Sequence, residues 1–413
     1  MSDSTPLPGD SFDLCVIGAG ISGLSLAQMA SSRLNLRTLV LERRDQAGGC
    51  LSSARFGAGE PAGWLELGAH TCYNSYVRFL DVMAGTDLLS RAVARKSMGF
   101  RIVERGVPRS IPACLNFLEV AMGLPRMLRE PKAGQTAAAY YSRILGRKNW
   151  ARVMHPMLNA VASQETEGFP ADALFKKRAS RRKDVLRSFA VRGGLGAAAQ
   201  ALAGLPGVHC GLDRAAVELT RTTGGFQVRT SLGETIRATR VALATPADAA
   251  AALLGPEFPE LAGLVGRIET RTVKSLGVVV RDPLAHLPRL AGLILPEGPC
   301  FSAVSADTFP VPGMRAWTFH FDAKRMADDS EMLDFACQVL GVPRTTVAAS
   351  FRRDHKMPSI AMGHDQWLAA VDRALPATGL MLAGNYLSGI SIEDCVGRSL
   401  HEFERTLAGA PRT

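Results

Sequence analysis

Residues 12–45, FDLCVIGAGISGLSLAQMASSRLNLRTLVLERRD, leave this chain few ways to fold. Residues 12–17 are an apolar run of strand length, and residues 38–41 are a second. Between them Gly18, Gly20 and Gly23 spell GxGxxG, and Leu24, Leu26, Ala27 and Ala30 continue at helical spacing. Gly18 permits a tight turn, Gly20 lets the backbone approach a pyrophosphate, and Gly23 lets helix pack closely on strand. The helix start at Ile21 and Ser22 offers free N–H groups and partial positive charge to phosphates. Glu42, 24 residues after Gly18, closes the second strand, with Arg43 beside it. A carboxylate there accepts both hydroxyls of an adenosine ribose and repels a 2′-phosphate. Strand, motif, helix, strand and acid in this order predict a βαβ dinucleotide-binding unit.

The stretch after Glu42 separates a nicotinamide from a flavin dinucleotide. The chain makes glycine loops where another helix and strand would be expected: Gly48, Gly49 and Cys50, then Gly68, Ala69 and His70 in LELGAHTCY. It runs as if beside a long ligand.

GxGxxG, LER, a GG pair and ELGAH together resemble the FAD-binding N-terminus of the amine oxidase superfamily. Near the other end, LMLAGNYLSGISIEDCVGRSLHEF reads as strand, glycine turn and helix, and resembles that superfamily's closing motif. The wording of this motif is most similar to the protoporphyrinogen oxidase branch. The resemblance implies an α/β fold: a Rossmann-like FAD-binding domain with an inserted mixed α+β substrate domain. It places Gly384 and Asn385 near the pyrophosphate and ribityl chain, and Ser391 and Ile392 near the flavin pyrimidine edge. It places Val217 by the adenine, upstream of a strand that ends at Ala244. The family carries Arg or Lys after the GG pair. Cys50 stands there instead, so a basic contact is missing or supplied elsewhere.

The implied FAD domain comprises residues 1–93, 186–255 and 365–413. Residues 94–185 are expected to be a helical insertion and residues 256–364 the second part of the substrate domain. The implied enzyme transfers a hydride to FAD, with oxygen or a quinone reoxidising it. The substrate is a small molecule or a tetrapyrrole. An amine or amino-acid oxidase, a desaturase, a flavin mutase and a non-catalytic dinucleotide-binding protein stand as alternatives.

Candidate catalytic residues are few. His70 can hydrogen-bond flavin or substrate, or simply satisfy loop carbonyls. Tyr73, Tyr76 and Tyr386 flank the flavin motifs as pocket walls or as packing. Lys274 matches the lysine that monoamine oxidase-like members use to hold a water at flavin N5, or is an exposed strand-end lysine. Arg192 is read equally as an anion contact or as surface.

The remaining composition mostly excludes. Eight scattered cysteines form no CxxC pair, and the eight histidines form no HxH or HxxxH pair, so neither a disulfide framework nor a metal site is expected. The net charge is +10, with a dense basic run at residues 176–183. Such a run is a solvated face or an anion-binding surface. No nucleic-acid-binding signature accompanies it. No apolar run is long enough to span a membrane. The polar start is read as a short disordered leader rather than a signal peptide, which predicts a cytoplasmic protein. Apolar spacing over residues 115–128 suits either substrate-domain core or peripheral contact with the inner membrane.

Overall fold

The computed structural model describes residues 7, 9–57, 63–281, 287–377 and 379–408. Most of the segment read as a disordered leader lies outside the described residues.

Two seven-stranded sheets organise the chain. In the first, the parallel strands Val208–Gly211, Thr38–Leu41, Ser11–Ile17 and Thr235–Leu243 run side by side, and Leu380–Leu382 joins Thr235–Leu243 in parallel. An antiparallel hairpin, Ala216–Thr222 and Gly225–Thr230, extends one edge. The register sets Ile17 beside Leu41 and Leu243, Leu41 beside Gly211, and Leu243 beside Leu382. All five parallel strands therefore end at one level. Strand alternation then builds a core on each face. Leu14 and Val16 pack under the helices Ile21–Leu34, Leu195–Ala203 and Ile392–Phe403. Cys15 and Ile17 pack under Ala247–Leu254, Pro259–Val265 and His364–Ala374.

The closing helix, Ile392–Phe403, is held by buried charge. Arg398, 3% exposed, donates to the Leu382 carbonyl (3.1 Å), to Asp372 (2.8 Å) and to the fully buried Glu402 (2.5 Å). Ser399 Oγ donates to the Ser22 carbonyl at 2.8 Å, joining the closing helix to the first. Such a network specifies one docking of the helix, because removing one partner leaves a buried charge unmatched.

The second sheet runs Val347–Pro358, Thr270–Arg281, Met314–Asp322, Cys300–Ser305, Gly292–Ile294, Phe100–Glu104, Val107–Ser110. One face carries Leu276, Val278, Val280, Trp317, Phe319 and Phe321 and packs with Met332, Ala336 and Leu340 of the helix Asp329–Leu340. The opposite face carries Val279 and Ala316 and meets Phe56, Leu65 and Leu67 of the cofactor-side hairpin.

The insertion expected to be helical begins differently. Phe100–Glu104 and Val107–Ser110 form a hairpin that joins the second sheet. Arg105 and Gly106, both at positive φ (51° and 77°), make its two-residue turn, the geometry that matches strand twist. Beyond it come helices at Phe117–Met127, Ala137–Leu145 and His155–Ala162.

Candidate functional site

Ligands of open α/β sheets bind beyond the carboxyl ends of the strands. Here the common finishing line of the five parallel strands puts Gly18, Glu42, Ala244 and Gly384 directly past those ends. Gly18 N–H donates to the Leu41 carbonyl and Ala244 N–H to the Ile17 carbonyl, both at 2.8 Å. The Glu42 carboxylate, 9% exposed, accepts from the N–H groups of Ala19 (2.9 Å) and Arg44 (3.1 Å).

The glycine pair lies directly on the GxGxxG turn. Gly48 N–H donates to the Ala19 carbonyl at 2.8 Å. A Cβ on Gly49, whose φ is +58°, would come within 3.1 Å of Gly20 Cα, so a side chain there would be strained and crowded. A Cβ on Gly20 itself would meet no atom nearer than 4.0 Å, so the protein leaves open space there. The next glycine loop is fixed by close approach: a Cβ on Gly68 would sit 2.1 Å from the Cys50 carbonyl oxygen, and Ala69 N–H donates to that oxygen at 2.9 Å.

At the other end of the chain, Ser391 caps the closing helix by accepting from Asp394 N–H at 3.1 Å. Ile392 and Ser22 are buried where the first and closing helices meet. Asn385 reaches Met357 Sδ at 3.9 Å, on the edge strand of the second sheet.

That sheet roofs the loop carrying His70. His70 Nε2 and His320 Nε2 are 2.7 Å apart, and His320 Nδ1 lies 2.9 Å from Ser275 Oγ. His355 Nε2 donates to the Leu67 carbonyl at 2.8 Å, and Thr318 Oγ1 to the Glu66 carbonyl at 2.8 Å. Burial holds the imidazoles neutral. It drives His320 down to about 3, with the His355 charge adding, and His355 to about 4, against the opposing effect of its bond to Leu67. His70 is pushed well below the usual histidine value by burial and then by the charges of His320, Arg95 and His355. Burial also raises the Glu66 carboxyl to about 7, opposed by hydrogen bonds from Ser53 and Leu195. A pocket beside His70 is walled by Trp64 and Phe309, stacked with centroids 5.0 Å apart, and by Arg95, Thr308 and Ser305.

Several expectations need correction. Tyr386 is fully buried in the core, edge-on to Trp367, and does not line a pocket. Lys274 pairs with Asp354 (3.5 Å). It shares the helix-covered face with Leu276, because successive strand residues alternate, and Ser275 faces the histidines instead. Arg43 is exposed; Arg44 turns inward and donates to the Asp354 carbonyl at 2.8 Å. Arg192 is exposed. Val217, 49% exposed, comes after a segment hydrogen-bonded to the Glu42 and Arg44 carbonyls through Asp213 and Arg214 N–H. The basic run is partly engaged: Arg178 bonds Ser391 Oγ and Asp394, each at 2.9 Å, and Lys176 the Ser388 carbonyl at 2.7 Å. Cys50 and Cys395 are free thiols, like the other six cysteines.

Sequence reasoning misses His320, Ser275 and His355, which belong to no motif. The one available sign is polar residues inside apolar strands, as in RAWTFHF.

The donors fit FAD. Glu42 suits a ribose, the open backbone at Gly20 suits a pyrophosphate, and the buried Arg353 Nε has no hydrogen-bond partner among the described residues. Thr245 also carries a buried, unpartnered hydroxyl, and its carbonyl lies under Gly384. Fold and site together define a two-domain, FAD-dependent oxidoreductase. Residues 21–402 match the model of the flavin containing amine oxidoreductases, and the chain belongs to that family. It is 26% identical to the coproporphyrinogen III oxidase of Mycobacterium tuberculosis (strain ATCC 25618 / H37Rv), over 93% of this chain and 94% of that one. Among solved structures it resembles a protein of Exiguobacterium sp. 255-15 assigned as a protoporphyrinogen oxidase (TM-score 0.79, 17% identity, 97% and 99% of the two chains). It also resembles reduced UDP-galactopyranose mutase (0.72, 16%, 95% of each) and putrescine oxidase bound to putrescine (0.67, 16%, 95% and 98%).

Proposed function

We propose that this chain oxidises a porphyrinogen-class tetrapyrrole, with oxygen or a quinone as the final acceptor. The observation that carries the substrate class is the end-to-end similarity to a coproporphyrinogen III oxidase.

Bound FAD supplies the hydride acceptor. Gly18, Gly20, Ile21, Ser22, Gly23, Glu42, Gly48, Gly49, Gly384 and Asn385 would hold it. Each two-electron step removes a hydride from a bridging carbon of the macrocycle and a proton from a pyrrole nitrogen. The hydride and one proton together would reduce oxygen to hydrogen peroxide, or a quinone to its quinol. His70 takes the pyrrole proton in this reading. Its Nε2 is engaged by His320 at 2.7 Å. A neutral imidazole accepts a proton where an imidazolium cannot. His320 and Ser275 orient the ring, and Trp64 and Phe309 exclude water. Arg95 suits a substrate carboxylate.

We place the enzyme at a membrane surface. Phe117 (64% exposed), Leu118 (70%), Met122 (66%) and Leu128 (83%) stand out from one short helix and its end, with Arg126 and Arg129 exposed beside them. Apolar side chains flanked by cations suit an anionic interface. No helix among the described residues is long and apolar enough to cross a membrane.

The test is anaerobic addition of coproporphyrinogen III to the FAD-loaded protein, with putrescine in parallel. Bleaching by the porphyrinogen alone, reversed by air or quinone, is expected. Bleaching by the amine alone would overturn the reading. Co-sedimentation with anionic vesicles, lost in L118E/M122E, tests the surface contact.

A further inference from the structure

Cys50 comes after the glycine pair where the family's cation belongs, and burial raises its thiol, against the pull of two nearby guanidinium charges, Arg44 and Arg353. Arg353 lies on the edge strand Val347–Pro358, opposite Ser275. Alternation places it on the same sheet face as His355 and Met357, and both of these touch cofactor-side segments, at Leu67 and Asn385. Two residues back along that row, Arg353 comes to the stretch after Glu42. There the Arg44 side chain is tied to the Asp354 carbonyl. The charges that act on Arg353 are those of Arg44, Glu42, Asp45 and Cys50. It also lines a cleft with Ala47, Leu51 and Ser52, the loop around the glycine pair. Its Nε is buried without a hydrogen-bond partner among the described residues.

We propose that Arg353 binds the FAD pyrophosphate from the substrate domain, supplying the cation that Cys50 does not. The position fits the ligand's order: Glu42 takes the ribose, and the glycine pair lies beyond it. Between them in the dinucleotide is the pyrophosphate. Two guanidiniums, Arg44 and Arg353, stand at this stretch, and a pyrophosphate offers both of them negative charge. An arginine fork also matches phosphate oxygens in a way a single ammonium does not. The cofactor would then be gripped by both domains, which a cation on the glycine loop cannot achieve.

The experiment titrates apoprotein with FAD and with riboflavin, which has no phosphate. Arg353→Met is expected to raise the FAD dissociation constant about 10- to 100-fold, the loss typical of a charge-assisted hydrogen-bonded contact, and to leave riboflavin binding unchanged. Adding Cys50→Arg to that variant is expected to restore FAD affinity. Thermal melting of the apoprotein checks that the variant folds. If it does not, Arg353→Lys replaces it, with a smaller FAD-selective loss expected. Unchanged FAD affinity, or equal losses for FAD and riboflavin, would overturn the proposal while leaving FAD as the cofactor.

Discussion

His70 and His320, 250 residues apart in the chain, meet Nε2 to Nε2 at 2.7 Å. One of the two must donate and the other accept, so the pair requires at least one neutral ring, and burial keeps both neutral. The folded-state values of His70, His320 and His355 all lie below the ordinary histidine value of 6.5. Their contribution to stability is therefore complete above pH 6.5 and is lost as pH falls, down to about 3 for His320. Each costs about 1.4 kcal/mol per pH unit over which only the unfolded chain is protonated. Glu66, raised to about 7, and Glu393, also raised by burial, act in the opposite sense above the ordinary 4.5, two groups against three. Thermal melting from pH 7.5 to pH 5 should show a falling midpoint, and His320→Gln should flatten that slope. An unchanged slope would remove His320 from the account.

Gly20→Val should leave the apoprotein folded, because the nearest atom to a Cβ there is 4.0 Å away. FAD content should nonetheless vanish, since the branched side chain occupies the approach to the pyrophosphate. Stoichiometric FAD in the purified variant would refute the assignment of this turn.

Tyr386→Phe should be silent in turnover and slightly stabilising, by up to about 1 kcal/mol. Its hydroxyl is buried with no partner among the described residues, and such a group costs more than it returns. A kcat loss above tenfold would show the ring to be part of the chemistry after all.

Lys274→Met should change flavin reoxidation by oxygen less than twofold. The ammonium lies with Asp354 on the sheet face turned from His70, where it can at most affect strand pairing. Stopped-flow reoxidation of the reduced protein measures this directly.

The cofactor half is legible in the sequence because its signals are local. GxGxxG, the acid at Glu42 and the glycine pair lie within 32 residues of one another, and every one of these glycines except Gly20 answers a close contact made by its neighbours. The closing motif is legible for the same reason. The substrate half is not. Ser275, His320, Arg353 and His355 acquire meaning only when three strands are set in register, and nothing in RAWTFHF says which residue will face His70. Lys274 and Tyr386 show the reverse error: proximity to a motif in the chain suggests chemistry, but strand alternation and core packing turn both side chains away.

The strand Leu380–Leu382 completes the parallel array begun by Ser11–Ile17. On the ribosome, the first glycine turn emerges hundreds of residues before the last strand and the helix that locks it. Between those moments the early segments are an unfinished sheet with an open edge. The parallel array, and with it the common finishing line at Gly18 and Gly384, is therefore complete only when strands from both ends of the chain have paired.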